Sequence, residues 1–219
     1  MAQLKPVEVG VAPAPGRRRR NRGSEVVHDR LIEAAISEFA ARGFDGASTR
    51  VIAEKADAHQ SQIKYHFDTK DGLWRRCIEQ LLALLDAAID EQPGIASRDP
   101  RTVMEAVIRG LVVFAAGRPE LNRIMMHEST APGARLSWLV DNHLASRRSQ
   151  MIHRWEMLAE KGMAAPVSSD IFFHVLIGAV SLLYVNAPEA ELMGIEPHAP
   201  DVVARHADGL IAMFLRSPA

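Results

Sequence analysis

Apolar side chains recur at intervals of three and four residues along nearly the whole chain, and this period constrains the fold more than any other feature. Such spacing places the apolar residues on one face of an α-helix. Glycine and proline separate the periodic segments, as at Gly43, Pro93-Gly94 and Pro132-Gly133. The sequence has no alternating β pattern of useful length and no internal repeat. It therefore predicts an all-α fold.

Two short helices are predicted at 49–56 and 60–66, joined by the turn Asp57-Ala58-His59 and flanked by longer helices at 24–42 and 70–90. Ser24 is a candidate N-cap, because serine accepts hydrogen bonds from the first turn of a helix. Further helices are predicted at 101–117, 119–129, 134–161, 169–185 and 201–215, with a loop at 188–200.

The 219 residues are enough for one large domain or two small ones. Residues 1–23 contain prolines, glycines and arginines with little apolar periodicity, and we expect them to form a flexible basic arm. Residues 24–70 should form a helix-turn-helix domain. Residues 71–219 should form a larger helical domain.

Charge is distributed unevenly. Residues 1–76 hold 14 Lys and Arg against 10 Asp and Glu, a balance of +4, and the rest hold 12 against 17, a balance of −5, which gives the net charge of −1. A basic head suits a protein that contacts a polyanion there. The arginines at 17–20 and 22 are either a solvated tail or an arm that contacts phosphates.

The two short helices have the arrangement of a helix-turn-helix, whose second helix enters the major groove of DNA. Helical units of this size also occur without DNA, so the residue types matter. Glutamine can hydrogen-bond adenine edges, and serine, lysine and tyrosine can donate to bases or phosphates. The predicted outward positions of the second helix carry these types, at Gln60, Ser61, Gln62, Lys64 and Tyr65.

The segment LIEAAISEFAARGFDGASTRVIAEKADAHQSQIKYHFDTKDGLW, from Leu31 to Trp74, resembles the DNA-binding domain of the TetR family of bacterial regulators. The resemblance covers about a fifth of the 219 residues and rests on a specific combination of motifs. These motifs are the AA-x3-F helix ending at Phe39, Gly43-Phe44, Ser48-Thr49, Ile52-Ala53, Tyr65-His66-Phe67, and Lys70 with Leu73.

The resemblance implies which residues contact DNA and which form the core of the small domain. One residue departs from it: Asp57 stands at a turn position where the family usually has glycine. Aspartate tolerates the left-handed backbone that the turn requires better than most residues do. The implied core of the small domain is Phe39, Ile52, Ala53, Ile63 and Phe67. The implied DNA contacts are Thr49, Arg50, Gln60, Ser61, Gln62, Lys64, Tyr65, His66 and Lys70.

For the C-terminal half, the resemblance implies only an architecture: helices around a ligand pocket and a two-helix dimer interface. Histidine, arginine and aromatic side chains on the predicted helices are either partly buried structural residues or face a cavity. Methionines are either core filler or line an adaptable pocket. The candidate ligand-binding residues are Met125, His127, Trp138, His143, Arg147 and Phe173.

The helices at 169–185 and 201–215 carry a wide apolar stripe, which predicts a four-helix dimer interface around a two-fold axis. The competing interpretation is that the stripe is only the core of the monomer. The candidate interface residues are Phe172, Val175, Leu176, Ala179, Leu182, Leu183, Leu210 and Phe214.

Several other classes are not favoured. Ser129 and Ser181 lack a nucleophile elbow, and no glycine-rich phosphate loop is present, so we do not predict an enzyme or a cofactor. His127 and Glu128 are adjacent and point in different directions, so no metal site is predicted. A single cysteine excludes an intrachain disulfide, and no apolar run reaches the roughly 18 residues of a membrane span. The expected location is cytoplasmic.

The sequence thus predicts a TetR-like transcriptional regulator, a repressor that binds a palindromic double-stranded operator as a homodimer. A small-molecule effector in the C-terminal domain would release it. The alternative is a helical interaction or scaffold protein with the same fold and no ligand response.

Overall fold

The structure is a computed structural model that describes the backbone of residues 15–216 and the side chains of residues 25–216. The first part of the predicted basic arm and the arginine side chains at 17–20 and 22 lie outside the described residues.

Within residues 15–216, helices account for nearly all regular structure, and the all-α prediction is confirmed. The β structure described there is one isolated antiparallel bridge between Ala164 and Leu215. The helices are α1 (Pro15–Gly46), α2 (Thr49–Lys55), α3 (Gln60–Phe67), α4 (Lys70–Asp90), α5 (Pro100–Gly117), α6 (Glu120–Ser129), α7 (Ala134–Leu139), a π-helical segment (Val140–Leu144), α8 (Ala145–Glu160), α9 (Ser169–Val185), α10 (Ala187–Leu192) and α11 (Pro200–Phe214).

Helix α1 is longer than predicted. It begins at Pro15, so the prediction that Ser24 caps it was wrong. Proline suits the first helical position because its ring fixes φ near the helical value, and the arginines that follow are good helix formers. Near its other end, Gly43 has φ 66° and ψ 177°, which interrupts the helical backbone where the sequence predicted an end.

The predicted helix at 134–161 contains a π-helical segment between α7 and α8. The Asn142 side chain donates a hydrogen bond of 2.8 Å to the carbonyl oxygen of Trp138, four residues earlier. A side chain that occupies this carbonyl competes with the regular backbone bond and favours a wider turn. The segment therefore changes which residues of α7 and α8 share a face. The loop predicted at 188–200 also contains helical structure, because α10 extends to Leu192.

Two hydrophobic cores lie along the molecule, and α4 contributes to both. The first core joins α1, α2, α3 and the first half of α4, and it includes Phe39 and Trp74. It continues into the larger domain through Phe114, Leu121, Ile124 and Leu139. The second core lies among α5, α8, α9 and α11, and Leu85 of α4 packs against both.

Close packing fixes both halves of α4. At Gly110 of α5, an added Cβ would lie 2.6 Å from the Cα of Ile89, so the two helices approach more closely there than any other residue would allow. Cys77, in the first half of α4, is buried, and burial raises the pKa of its thiol.

Across the described residues, no helix combines the length and apolar character that a membrane crossing would require.

Candidate nucleic-acid interface and ligand cavity

The turn between α2 and α3 has the backbone that the sequence predicted. Asp57 adopts φ 48°, the left-handed region that aspartate tolerates. Arg30 of α1 supports this turn: its guanidinium donates to the Asp57 carbonyl oxygen at 3.3 Å and lies 3.5 Å from the Asp57 carboxylate. The first helix thus holds the turn that sets the angle between the two short helices.

The predicted core of the small domain is confirmed. Each of its five residues is at most 9% exposed, so α2 and α3 are anchored on α1 through their inner faces. Ile63 and Phe67 lie four residues apart on α3 and leave the opposite side of this helix to solvent. These core residues are Phe39, Ile52, Ala53, Ile63 and Phe67.

A buried carboxylate adds a polar link between α1 and α2 that the sequence did not predict. Glu38 is 2% exposed; one carboxylate oxygen accepts a hydrogen bond from Lys55 Nζ at 2.7 Å, and the other forms an ion pair with Arg42 Nε at 3.1 Å. The hydrogen bond from Lys55 lowers the pKa of Glu38, reinforced by the charges of Lys55 and Arg42 and opposed by burial. The ionised form of Glu38 therefore holds α2 against α1.

Glu38→Gln is expected to lower the free energy of unfolding by about 1.5–3 kcal/mol at neutral pH, because hydrogen bonds to a charged group are lost. Since the folded pKa lies below the ordinary value of 4.5, the wild type keeps this contribution above that pH and loses it as the pH falls through the folded pKa. Urea unfolding of the wild type and Glu38→Gln, from neutral pH to below pH 4.5, measures the difference in their free energies of unfolding. A constant difference between them at every pH would contradict the role of the ionised carboxylate.

Helix α3 presents polar side chains outward. Gln60, Ser61, Lys64 and Tyr65 are exposed, and Tyr65 is 80% exposed. Within the described residues, the side chains of Ser61, Lys64 and Tyr65 make no hydrogen bond or ion pair. The Tyr65 ring touches the His66 ring at a centroid distance of 4.9 Å, but most of it remains in water, where its apolar surface is available for contact.

Three of the predicted contact residues have structural partners. The Gln62 side chain accepts a hydrogen bond of 3.0 Å from the backbone N–H of His59 and so caps α3. Gln60 donates to Thr49 Oγ1 at 2.9 Å and joins the first turns of α2 and α3. Arg50, beside Thr49, is exposed. Gln62 is thus the least available of the predicted contacts on α3. Its position three residues after the N-cap residue His59 could have indicated this capping role.

His66 and Lys70 lie at the edges of this surface. His66 is partly buried beside His28, with the ring centres 5.6 Å apart, and burial followed by the charge of His28 lowers the pKa of His66. Lys70 Nζ lies 4.7 Å from the centre of the Phe44 ring. The Arg135 guanidinium of α7 lies 3.8 Å from the centre of the same ring and forms an ion pair with Glu128 of α6 at 2.9 Å. Phe44 thus connects the head to α6 and α7.

A cavity of about 680 Å³ lies among α4, α5, α6, α8 and α9. Three of the six predicted ligand-binding residues, Met125, Arg147 and Phe173, line it. The sequence missed its charged residues on α4, Asp86 and Asp90. The remaining lining includes Arg154, Gln150 and Met151, whose spacing from Arg147 on α8 could have identified one cavity-facing side.

The other three predicted ligand residues, His127, Trp138 and His143, do not line this cavity, and other parts of the structure surround them. The His127 ring lies against Gly43, 3.3 Å from where a Cβ on that glycine would stand. Trp138 packs edge-on against Trp74 with a centroid distance of 5.8 Å, and His143 lies 4.8 Å from Trp138. Arg147 lies nine residues after Trp138, about half a helical turn away around the axis, and it faces the cavity whereas Trp138 does not.

The predicted dimer stripe is divided between the core and the surface. Phe172, Leu176, Leu210 and Phe214 are buried in the monomer, where the Phe172 ring stacks on Trp155 at 3.7 Å. For these four residues the interface prediction was wrong, because α9 and α11 use them to pack on α5 and α8. The rest of the stripe remains available: Val175 is 41% and Leu182 58% exposed, Ala179 and Leu183 are partly exposed, and Ile171 and Met213, outside the predicted set, are 51% and 69% exposed.

Comparison with known proteins agrees with this geometry. The family model for bacterial regulatory proteins of the tetR family matches residues 31–77. A probable HTH-type transcriptional regulator of Bacillus subtilis, YttP, is 21% identical over 78% of this chain and 84% of its own length. The HTH-type transcriptional repressor SCO4008 of Streptomyces coelicolor is 32% identical over 51% of this chain and 54% of its own.

Solved structures share the fold of most of the chain. HlyIIR, a hemolysin II transcriptional regulator, superposes with a TM-score of 0.63 at 18% identity, covering 85% of this chain and 97% of that one. The helix-turn-helix geometry, the family match and the shared fold lead to one conclusion. Residues 31–77 match the tetR family of bacterial regulatory proteins, and the chain shares its fold with a transcriptional regulator of known structure.

Proposed function

We propose that this protein is a homodimeric repressor that binds a palindromic DNA operator and is released by a small molecule in its cavity. The observation that carries the proposal is the outer side of α3, where Ser61, Lys64 and Tyr65 are exposed and form no side-chain hydrogen bond or ion pair with the residues that the structure describes. A helix with such a face fits the major groove, which is about 12 Å wide.

In the proposed complex, α3 contacts base edges and the surrounding residues contact the backbone. Gln60 and Lys64 are suited to bases, because amides and ammonium groups match the donor and acceptor pattern of the major groove. Thr49, Arg50 and Lys70 stand at the first turns of α2 and α4, where backbone N–H groups also favour phosphates. Ser61, Tyr65, His66 and the less available Gln62 complete the proposed contact set.

Dimerisation is proposed through the exposed side of α9, with Val175, Ala179, Leu182 and Leu183. Exposed apolar residues at intervals of three and four form a continuous strip, which is costly in water and suits a second copy of the same helix. A two-fold axis between two copies presents two α3 helices to the two halves of a palindrome.

Ligand release is proposed to act through α4, which is shared by the head and the cavity. Leu73 and Trp74 of α4 belong to the head core, whereas Leu85, Asp86 and Ile89 line the cavity. Asp86 pairs with Arg147 of α8 at 2.5 Å and ties the cavity half of α4 to the body. A ligand that shifts this half would change the separation of the two heads and their fit to DNA.

The test is a gel shift with the DNA that flanks the protein's own gene, over a series of salt concentrations and with an unrelated duplex as competitor. Retardation of the flanking DNA at salt concentrations that abolish binding to the competitor supports the proposal. Equal affinity for both duplexes would contradict operator recognition and favour a helical interaction protein.

A further inference from the structure

The charged groups of the cavity lie on two helices, which the Asp86–Arg147 ion pair joins. Asp86 and Asp90 stand four residues apart on α4, and Arg147 and Arg154 stand seven residues apart on α8, so each pair shares one side of its helix. His174 of α9 completes the titratable lining. Most other lining residues are apolar, so the charges define where a polar ligand group would be held.

The two arginines differ in what they contact. Arg147 is paired with Asp86 at 2.5 Å. Arg154 is partly buried, and no ion pair or hydrogen bond of its side chain is found among the described residues. A guanidinium that is partly removed from water loses hydrogen bonds to water, and without a protein partner nothing replaces them. A ligand carboxylate can replace them with two parallel hydrogen bonds.

The two aspartates are weaker binding partners for a cationic ligand than Arg154 is for an anionic one. Asp86 is already paired, and Asp90 is an exposed residue that water can solvate. Since the partly buried, unpaired group is the cation of α8, the cavity favours an anionic head group over a cationic one.

Apolar surface dominates the rest of the lining. Ile89, Leu111, Met125, Phe173 and Ile177 come from four helices and face the cavity. The volume of about 680 Å³ lies within the range of about 300–1,000 Å³ that is usual for small-molecule sites. Methionine and phenylalanine adapt to flexible apolar bodies, so this part of the lining selects an apolar chain or ring system.

We propose that the cavity takes an amphipathic carboxylic acid, with its carboxylate on Arg154 and its apolar body against the side chains of α5, α6 and α9. This assignment of the effector class rests on the proposed function for its regulatory meaning, whereas the binding itself does not depend on DNA. Arg154 acts in it as the specificity-determining residue.

The experiment is isothermal titration calorimetry of the full chain with three probes that each contain a ten-carbon chain: decanoate, decan-1-ol and decyltrimethylammonium. Decanoate is expected to bind at least about tenfold more tightly than the other two, as a charge-assisted pair formed in a partly buried site would give. Arg154→Gln should weaken decanoate about tenfold and leave decan-1-ol unchanged, while Arg154→Lys should retain part of the preference. Arg148→Gln is the matched control, because Arg148 lies on the same helix and donates to the Asp170 carbonyl oxygen outside the cavity.

Three results would overturn the assignment: no binding of decanoate, equal or tighter binding of decyltrimethylammonium, or undiminished decanoate binding by Arg154→Gln. A parallel gel shift separates this from the proposed function. If decanoate binds through Arg154 but the protein retards no DNA, the operator proposal fails and the ligand class stands. If DNA binds and decanoate does not release it, only the proposed release fails.

Discussion

The double variant Lys64→Ala/Tyr65→Ala is expected to lose about 1,000-fold in operator affinity. In a dimer each substitution removes two contacts, and four contacts at about 1 kcal/mol or more each account for this loss. Tyr65 is 80% exposed and Lys64 is also exposed, so removal of their side chains costs the monomer little packing. The fold should survive because Ile63 and Phe67 anchor α3 from its other side.

Fluorescence anisotropy with labelled operator measures this loss, and circular dichroism checks the helix content. Tyr65→Phe separates the hydroxyl group from the ring. Lys161→Ala is the matched charge control, because Lys161 is an exposed lysine at the end of α8, far along the chain from α3. Unchanged affinity of the double variant, with normal helicity, would show that α3 does not read the operator.

Leu182→Glu should convert the proposed dimer into monomers that retain their helix content. Leu182 is 58% exposed in the monomer, so a carboxylate there is solvated in the free chain. At a two-fold interface the same substitution places two like charges close together and removes them from water, which costs several kcal/mol and lowers the dimer affinity by at least about 100-fold. Operator affinity falls with it, because a monomer offers only one α3.

Sedimentation velocity over a range of protein concentrations measures the assembly. Leu84→Glu is the matched control, since Leu84 is a 40% exposed leucine on α4, outside the proposed interface. A wild type that is monomeric at all concentrations, or a Leu182→Glu variant that remains dimeric, would rule out α9 as the interface.

The sequence alone determined the helix-turn-helix because its information is local. The spacing of Ile52, Ile63 and Phe67 fixed the inner faces of α2 and α3, and the residue type at Asp57 matched the left-handed turn. Helix periods and turn chemistry act over a few residues, so they can be read without knowing what lies across the core. The candidate contact face of α3 follows as the side that these anchors leave exposed.

Only the tertiary structure decided what each helix of the body faces. The apolar stripe of α9 is wide enough for two partners, and packing on α5 and α8 took Phe172 and Leu176 while it left Leu182 in solvent. Arg147 of α8 faces the cavity, whereas Trp138 of α7 packs against Trp74 of α4. An amphipathic pattern predicts that one face of a helix is buried, but it does not predict which element packs on that face. The packing partner depends on contacts between residues far apart in the chain.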